Sequence, residues 1–170
     1  MMILSSFLST FKAMIAIKEP SSKTPVVYTI GYEGVSIEKF IRKLESENIQ
    51  CLLDVRRNPL SRKPGFSKKS LQQHLQIAGI EYRHIPQLGI PSSMRQGLNT
   101  KEDYSYLFDQ YEQEILPVAE REKNDLIEKI AETNSALLCF EADPDCCHRS
   151  RLSRVIAVET GYSQKHLQCN

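Results

Sequence analysis

The sequence predicts an α/β fold: one three-layer, Rossmann-like domain whose mostly parallel sheet is flanked by helices. Three observations carry this. Apolar runs of strand length at 26–30, 51–55 and 136–140 alternate with segments of helical period. A strand–loop–helix unit occurs twice before residue 80, and such alternation favours parallel strands joined by right-handed crossovers. A chain of 170 residues that is 41% hydrophobic can also build one core without metal or disulfide staples.

The elements follow in order. Residues 1–25 read as an N-terminal extension and linker, with Ile3, Phe7, Leu8, Phe11, Met14 and Ile15 at the spacing of a short amphipathic helix and a Pro-, Lys- and Ser-containing stretch behind them. The α/β domain then occupies 26–170. Val26–Ile30 is a buried strand broken by Gly31, and Ser36 is positioned to cap a helix carrying Ile37, Phe40, Ile41 and Leu44. Cys51–Val55 is a second strand, followed by a turn-rich loop and a short helix through Leu71, Leu75 and Ala78 that ends at Gly79. Residues 80–85 alternate as a strand does, and a long loop fills 86–99. Thr100 and Asp103 have capping-box spacing, ahead of a stripe from Tyr104 to Leu116 that Pro117 divides from a second helix bearing Leu126, Ile127 and Ile130. Ala136–Phe140 makes another buried strand, Leu152, Val155 and Ile156 a helix face, and 166–168 a short last strand.

Composition excludes several classes. With 22 basic against 21 acidic residues, no global field draws the chain to nucleic acid or an anionic membrane, so any attraction is local. Polar residues interrupt the apolar N-terminus well short of the roughly 20 residues a membrane span requires, and no membrane partner is expected. Five cysteines without the spacing of a secreted scaffold indicate reduced thiols and a cytoplasmic protein. No cofactor is implied. Nor is a metal: the adjacent Cys146, Cys147 and His148 do not converge readily on one ion, and no second ligand pair has zinc-site spacing.

Ligands of open α/β sheets bind beyond the carboxyl ends of the strands, which directs attention to the loops after Ile30, Val55, Ile85 and Phe140. The second loop, residues 56–69, carries six cations and no carboxylate, the strongest local charge bias in the chain. Guanidinium groups such as Arg56 and Arg62 match phosphate oxygens, though solvated loop cations or an Arg56 ion pair would read identically in sequence. The fourth loop runs from the strand into a helix start at Cys147, His148 and Arg149, where free N–H groups and the helix dipole attract oxyanions and lower a thiol's pKa. The catalytic candidates are Asp54, Glu141, Cys147 and His148. Tyr32, Arg56, Ser61, Arg62 and Arg149 are the ligand-binding candidates. Structural alternatives stand beside these: Cys147 as a packing residue, His148 as a helix cap, and Asp54–Arg149 or Glu141–Arg56 salt bridges.

The residues Thr29-Ile30-Gly31-Tyr32, Asp54-Val55-Arg56, Pro59, Ser61-Arg62, Pro64-Gly65-Phe66, Tyr82, Leu88-Gly89 and Glu141-x-x-Pro144-x-x-Cys147-His148-Arg149 together resemble the "domain of unknown function 488" family over roughly residues 26–168. The resemblance implies a cytoplasmic α/β domain with no established activity, loosely associated with DNA repair. It points to Arg56, Ser61, Arg62, Glu141, Cys147, His148 and Arg149 as signature polar residues without assigning roles. The chain departs from the pattern in its N-terminal extension and at Ile90 and Pro91, where relatives are richer in glycine. Three functional readings follow. The first is an enzyme of hydrolase or transferase type acting on a phosphorylated small molecule such as a nucleotide. The second is a nucleic-acid-binding accessory protein. The third is a scaffold that binds a protein partner through its N-terminal helix or its acidic helical pair; the N-terminal segment is also a place for a homodimer or protein partner.

Overall fold

A computed structural model describes residues 24–169. The strands are β1 (Val26–Gly31), β2 (Cys51–Asp54), β3 (Glu81–His84), β4 (Ser135–Cys139) and β5 (Ser163–Leu167). The main helices are α1 (Ile37–Ser46), α2 (Lys68–Ile77), α3 (Lys101–Gln110), α4 (Glu120–Glu132) and α5 (His148–Thr160). The strands form one sheet in the order β3-β2-β4-β1-β5, parallel at every pairing. The amphipathic spacing expected within residues 3–15 lies outside the described residues.

Topology and packing agree. From β1 the chain steps in one direction across the sheet to β2 and β3, then reverses to β4 and β5. With right-handed crossovers, that reversal requires α1 and α2 on one face and α3, α4 and α5 on the other. The two apolar clusters divide in this way. One contains Phe40, Leu44, Leu71 and Leu75 against Ile30, Leu52 and Leu138. The other contains Leu107, Tyr111, Leu126, Leu152 and Ile156 against Val27, Leu53 and Leu137. Leu52 and Leu53, and likewise Leu137 and Leu138, point to opposite faces because strand side chains alternate, so β2 and β4 are apolar at nearly every position.

Local chemistry fixes the helix starts. The Ser36 hydroxyl accepts from the Lys39 N–H at 3.4 Å. Thr100 and Asp103 make the reciprocal capping box: the Thr100 hydroxyl accepts from the Asp103 N–H at 3.1 Å, and the Asp103 carboxylate accepts from the Thr100 N–H at 2.8 Å. The division at Pro117 is more elaborate than a simple break. Residues Tyr111–Ile115 form a π-helical turn and Leu116–Val118 one further turn. Proline has no N–H to continue the ladder, so the chain reorganises there before α4. The last strand begins at Ser163, earlier than the 166–168 read from sequence, because its exposed residues pair with β1 in a register that apolar pattern alone does not reveal.

The reversal of chain direction puts the carboxyl end of β4 between those of β1 and β2, where the helices that follow leave toward opposite faces. Crevices open at such points. Two glycines let the loops close over this end. A Cβ on Gly31 would lie 1.8 Å from the Glu141 carbonyl oxygen, and one on Gly89 would lie 2.2 Å from the Arg57 nitrogen. Neither position has room for a side chain.

Candidate functional site

The site is built from the loop after β1, the basic loop after β2, the long loop after β3 and the loop between β4 and α5. Backbone bonds join the first to the last: the N–H groups of Tyr32 and Glu33 donate to the Phe140 carbonyl at 3.0 and 2.9 Å. The Glu33 carboxylate accepts from the Ala142 N–H at 3.0 Å.

At the foot of the basic loop lies a buried ion pair. Asp54 is 0% exposed and Arg56 5%. Asp54 Oδ1 accepts from Arg56 Nε at 2.8 Å and from the Arg56 N–H at 3.1 Å; Oδ2 accepts from Arg56 Nη2 at 2.6 Å and from the Tyr82 hydroxyl at 2.7 Å. Arg56 Nη1 donates to the Tyr32 hydroxyl at 2.9 Å and to the Phe66 carbonyl at 3.0 Å. Burial alone would lower the guanidinium's pKa, but the hydrogen bonds and charge of Asp54 outweigh it and raise that pKa. Burial, with the Asp54 charge, also pushes the Tyr82 hydroxyl up, which keeps it a donor. The Asp54–Arg149 and Glu141–Arg56 pairs do not form; the alternative of an Arg56 ion pair does, with Asp54 two residues away at the same strand end. With both oxygens saturated and no exposure, Asp54 braces the loop.

Above this pair is a cavity of about 360 Å³. Its wall includes Tyr32, Arg56, Ser61, Arg62 and Glu141, all singled out from sequence, and Arg57, Lys63, Ser92 and Arg95, which were not. Arg57, Arg62, Lys63 and Arg95 form no ion pair with a carboxylate among the described residues. Glu141 is the one carboxylate on the wall, and Phe140, Leu60 and Ile90 supply apolar surface. Arg95 had a legible signal: it is the only charged residue of the loop 86–99, which follows a strand end.

Arg149 does not reach the cavity wall. It is 1% exposed, and its Nη1 and Nη2 donate to the Glu141 and Ala142 carbonyls at 2.6 and 3.2 Å, while Nε has no partner. The guanidinium thus clamps the peptide groups that carry Glu141.

Cys147 and His148 are also buried, each 1% exposed. The expectation of a thiol acidified at a helix start is corrected: burial, followed by the neighbouring Cys139, raises the Cys147 pKa well above its ordinary value. Desolvation of a thiolate outweighs the helix dipole, which acts in the opposite direction. A buried thiol of this kind is a poor free nucleophile. His148 Nε2 faces the Val55 carbonyl at 3.2 Å, its Nδ1 faces Cys139 Sγ at 3.6 Å and Cys147 Sγ at 4.0 Å, and the Tyr111 ring packs edge-on against it. Cys139, absent from the residues chosen by sequence, joins them because it is the last residue of β4 and the loop folds back over it. The donor atoms of Cys139, Cys147 and His148 all lie within 4.8 Å of one another, whereas Cys146 is exposed beside Asp143.

The family model described as "Domain of unknown function DUF488" matches residues 36–156, well over half of the chain. The chain belongs to the DUF488 family. The matched span covers the basic loop, Glu141, Cys147, His148 and Arg149 but stops short of β5 and of Tyr32 at the end of β1. No curated protein and no solved structure matches this DUF488 chain. No helix among the described residues is long and apolar enough to cross a membrane.

Proposed function

We propose that the chain is an enzyme acting on a phosphorylated small molecule, such as a nucleotide, bound in the cavity at the carboxyl ends of β1, β2 and β4. The observation that carries the reading is the convergence of Arg57, Arg62, Lys63 and Arg95, none paired with a carboxylate among the described residues, on one concavity of about 360 Å³. Unneutralised cations around a hollow create a positive potential that an anionic ligand relieves, and guanidinium groups match phosphate oxygens in pairs. The volume falls in the range of small-ligand sites, and the apolar surface of Leu60, Phe140 and Ile90 suits a base or another non-polar moiety. Glu141 handles the proton of the reaction, because it is the carboxylate on this wall and Arg149 holds its peptide in place. Convergence on a cavity, rather than spread along an open stripe, favours a small molecule over a nucleic-acid backbone.

Thermal unfolding of the full chain against inorganic phosphate, nucleoside mono-, di- and triphosphates and short oligonucleotides tests this. A ligand present at about 100 times its Kd stabilises by about 2.7 kcal/mol. Arg62→Ala and Arg95→Ala are each expected to weaken binding roughly tenfold or more, the size of one charge-assisted contact, and Glu141→Gln to retain binding while abolishing turnover. Absence of a shift with every phosphorylated compound overturns the reading, as does a shift that survives the double arginine variant. A shift confined to oligonucleotides and erased by salt replaces it with the nucleic-acid reading.

A further inference from the structure

Behind the anion cavity, at the junction of β4 and α5, the buried cluster of Cys139, Cys147 and His148 is used by nothing described above. We propose that these three residues bind a zinc-class divalent ion, through two thiolate sulfurs and the His148 Nδ1, with a fourth coordination position on the side of Glu141.

Spacing is the first support. Tetrahedral zinc with ordinary Zn–S and Zn–N bonds separates neighbouring donor atoms by about 3.5–3.8 Å. Here His148 Nδ1 stands 3.6 Å from Cys139 Sγ and 4.0 Å from Cys147 Sγ, and all three donor atoms fall within 4.8 Å. Drawing the two sulfurs from at most 4.8 Å to that spacing takes a side-chain movement of up to about 1 Å.

The tautomer is the second. Nε2 of His148 faces the Val55 carbonyl, which can only accept, so the ring proton resides on Nε2 and the lone pair of Nδ1 is turned toward the two sulfurs. A backbone carbonyl that fixes the far nitrogen of an imidazole is the usual outer support of a metal-ligating histidine. The Tyr111 ring, 5.3 Å from the His148 ring centroid, packs its edge and restrains rotation.

Access is the third. A small cavity of about 80 Å³ is lined by Glu141, Cys147 and His148, and Cys139 and Glu141 lie on the wall of the larger one. Glu141 therefore borders both, and its Oε2 is 3.5 Å from Cys139 Sγ. The fourth position accordingly takes the Glu141 carboxylate or a water facing the anion cavity. Two sulfurs and an imidazole favour zinc over magnesium or calcium. Binding releases one proton from each thiol to solvent, and nothing is oxidised. Sequence spacing hid the set because the third donor is Cys139, eight residues before Cys147, and not the adjacent Cys146.

The test uses the full chain purified under reducing conditions, stripped with a chelator and titrated with Co²⁺ and then Zn²⁺. The expected result is about one ion per chain, a thiolate-to-cobalt charge-transfer band with tetrahedral ligand-field bands, and displacement of cobalt by zinc. Cys139→Ser is expected to weaken binding by more than roughly 100-fold, whereas Cys146→Ser leaves it unchanged. Wild-type protein that takes up neither ion overturns the proposal whatever the variants do, including a chain that carries a Cys139–Cys147 disulfide as purified and remains metal-free after reduction. Uptake that survives Cys139→Ser, or that Cys146→Ser abolishes, overturns it as well. No phosphorylated ligand enters the measurement, so the outcome is independent of the proposed function.

Discussion

Replacing Asp54 by asparagine removes one charge from an ion pair that solvent does not reach, while keeping the side chain's shape. In the native protein the carboxylate accepts four hydrogen bonds, three from Arg56 and one from the Tyr82 hydroxyl. After Asp54→Asn, the guanidinium of Arg56, at 5% exposure, faces only neutral acceptors, namely the remaining amide oxygen and the oxygens of Tyr32 and Phe66, and the new NH2 group is turned toward donors. Breaking a buried pair by removing one partner costs about 3–5 kcal/mol, because the remaining charge is left uncompensated. At roughly 2–4 °C per kcal/mol for a domain of this size, the melting point should fall by about 6–20 °C. Urea unfolding monitored by circular dichroism measures the change directly. The double variant Asp54→Leu with Arg56→Met removes both charges, and it is expected to recover most of the loss, since well-packed apolar replacements of buried pairs are often neutral. A loss below about 1 kcal/mol for Asp54→Asn, or a double variant as unstable as the single one, would refute the bracing role and return Asp54 to the list of reactive groups.

Other consequences follow from the same loops. Gly31→Ala forces a Cβ against the Glu141 carbonyl, so a stability loss of at least the roughly 1–3 kcal/mol typical of overpacking is expected in urea, and a neutral result would mean that the two loops are not in contact. Iodoacetamide at neutral pH should label exposed Cys146 well before Cys147, which is buried and has a raised pKa; mass spectrometry of tryptic peptides that found Cys147 labelled first would contradict this. His166 Nδ1 lies 2.8 Å from the Thr29 hydroxyl, and burial, with the Arg149 charge, lowers its pKa. The folded state therefore takes up this proton less readily than the unfolded chain, and stability is unaffected above about pH 6.5 and declines as pH falls below it. An NMR titration should place the His166 midpoint below that of an unfolded histidine, and His166→Gln should flatten the decline; a raised midpoint would reverse the sign.

The contrast between Asp54 and Arg95 shows what was legible in the sequence. Asp54 ends a strand and Arg95 lies in the loop after one, and position alone made the loops after β1, β2, β3 and β4 worth examining; the structure unites Tyr32, Arg56, Ser61, Arg62 and Glu141 at one cavity. Position does not say which way a side chain turns. Asp54 and Arg56 satisfy each other, with Arg56 still bordering the hollow, whereas Arg57, Lys63 and Arg95 line it with no carboxylate partner among the described residues. Arg149 belongs to the signature motif for a bracing contact with two carbonyls.

By itself the sequence determined the alternation of strands and helices, the Ser36 cap and the Thr100–Asp103 capping box, the absence of a global charge and the signature motif. Each of these depends on local spacing, and periodicities of two and of 3.6 residues are local properties of a chain. Tertiary structure decided the order β3-β2-β4-β1-β5, the Asp54–Arg56 pair, the reach of Arg95 into the cavity and the meeting of Cys139 with Cys147 and His148. It also reversed the expected acidity of Cys147. Those outcomes depend on burial and on contacts between segments far apart in the chain, and desolvation, unlike spacing, exists only once the loops have closed over the site.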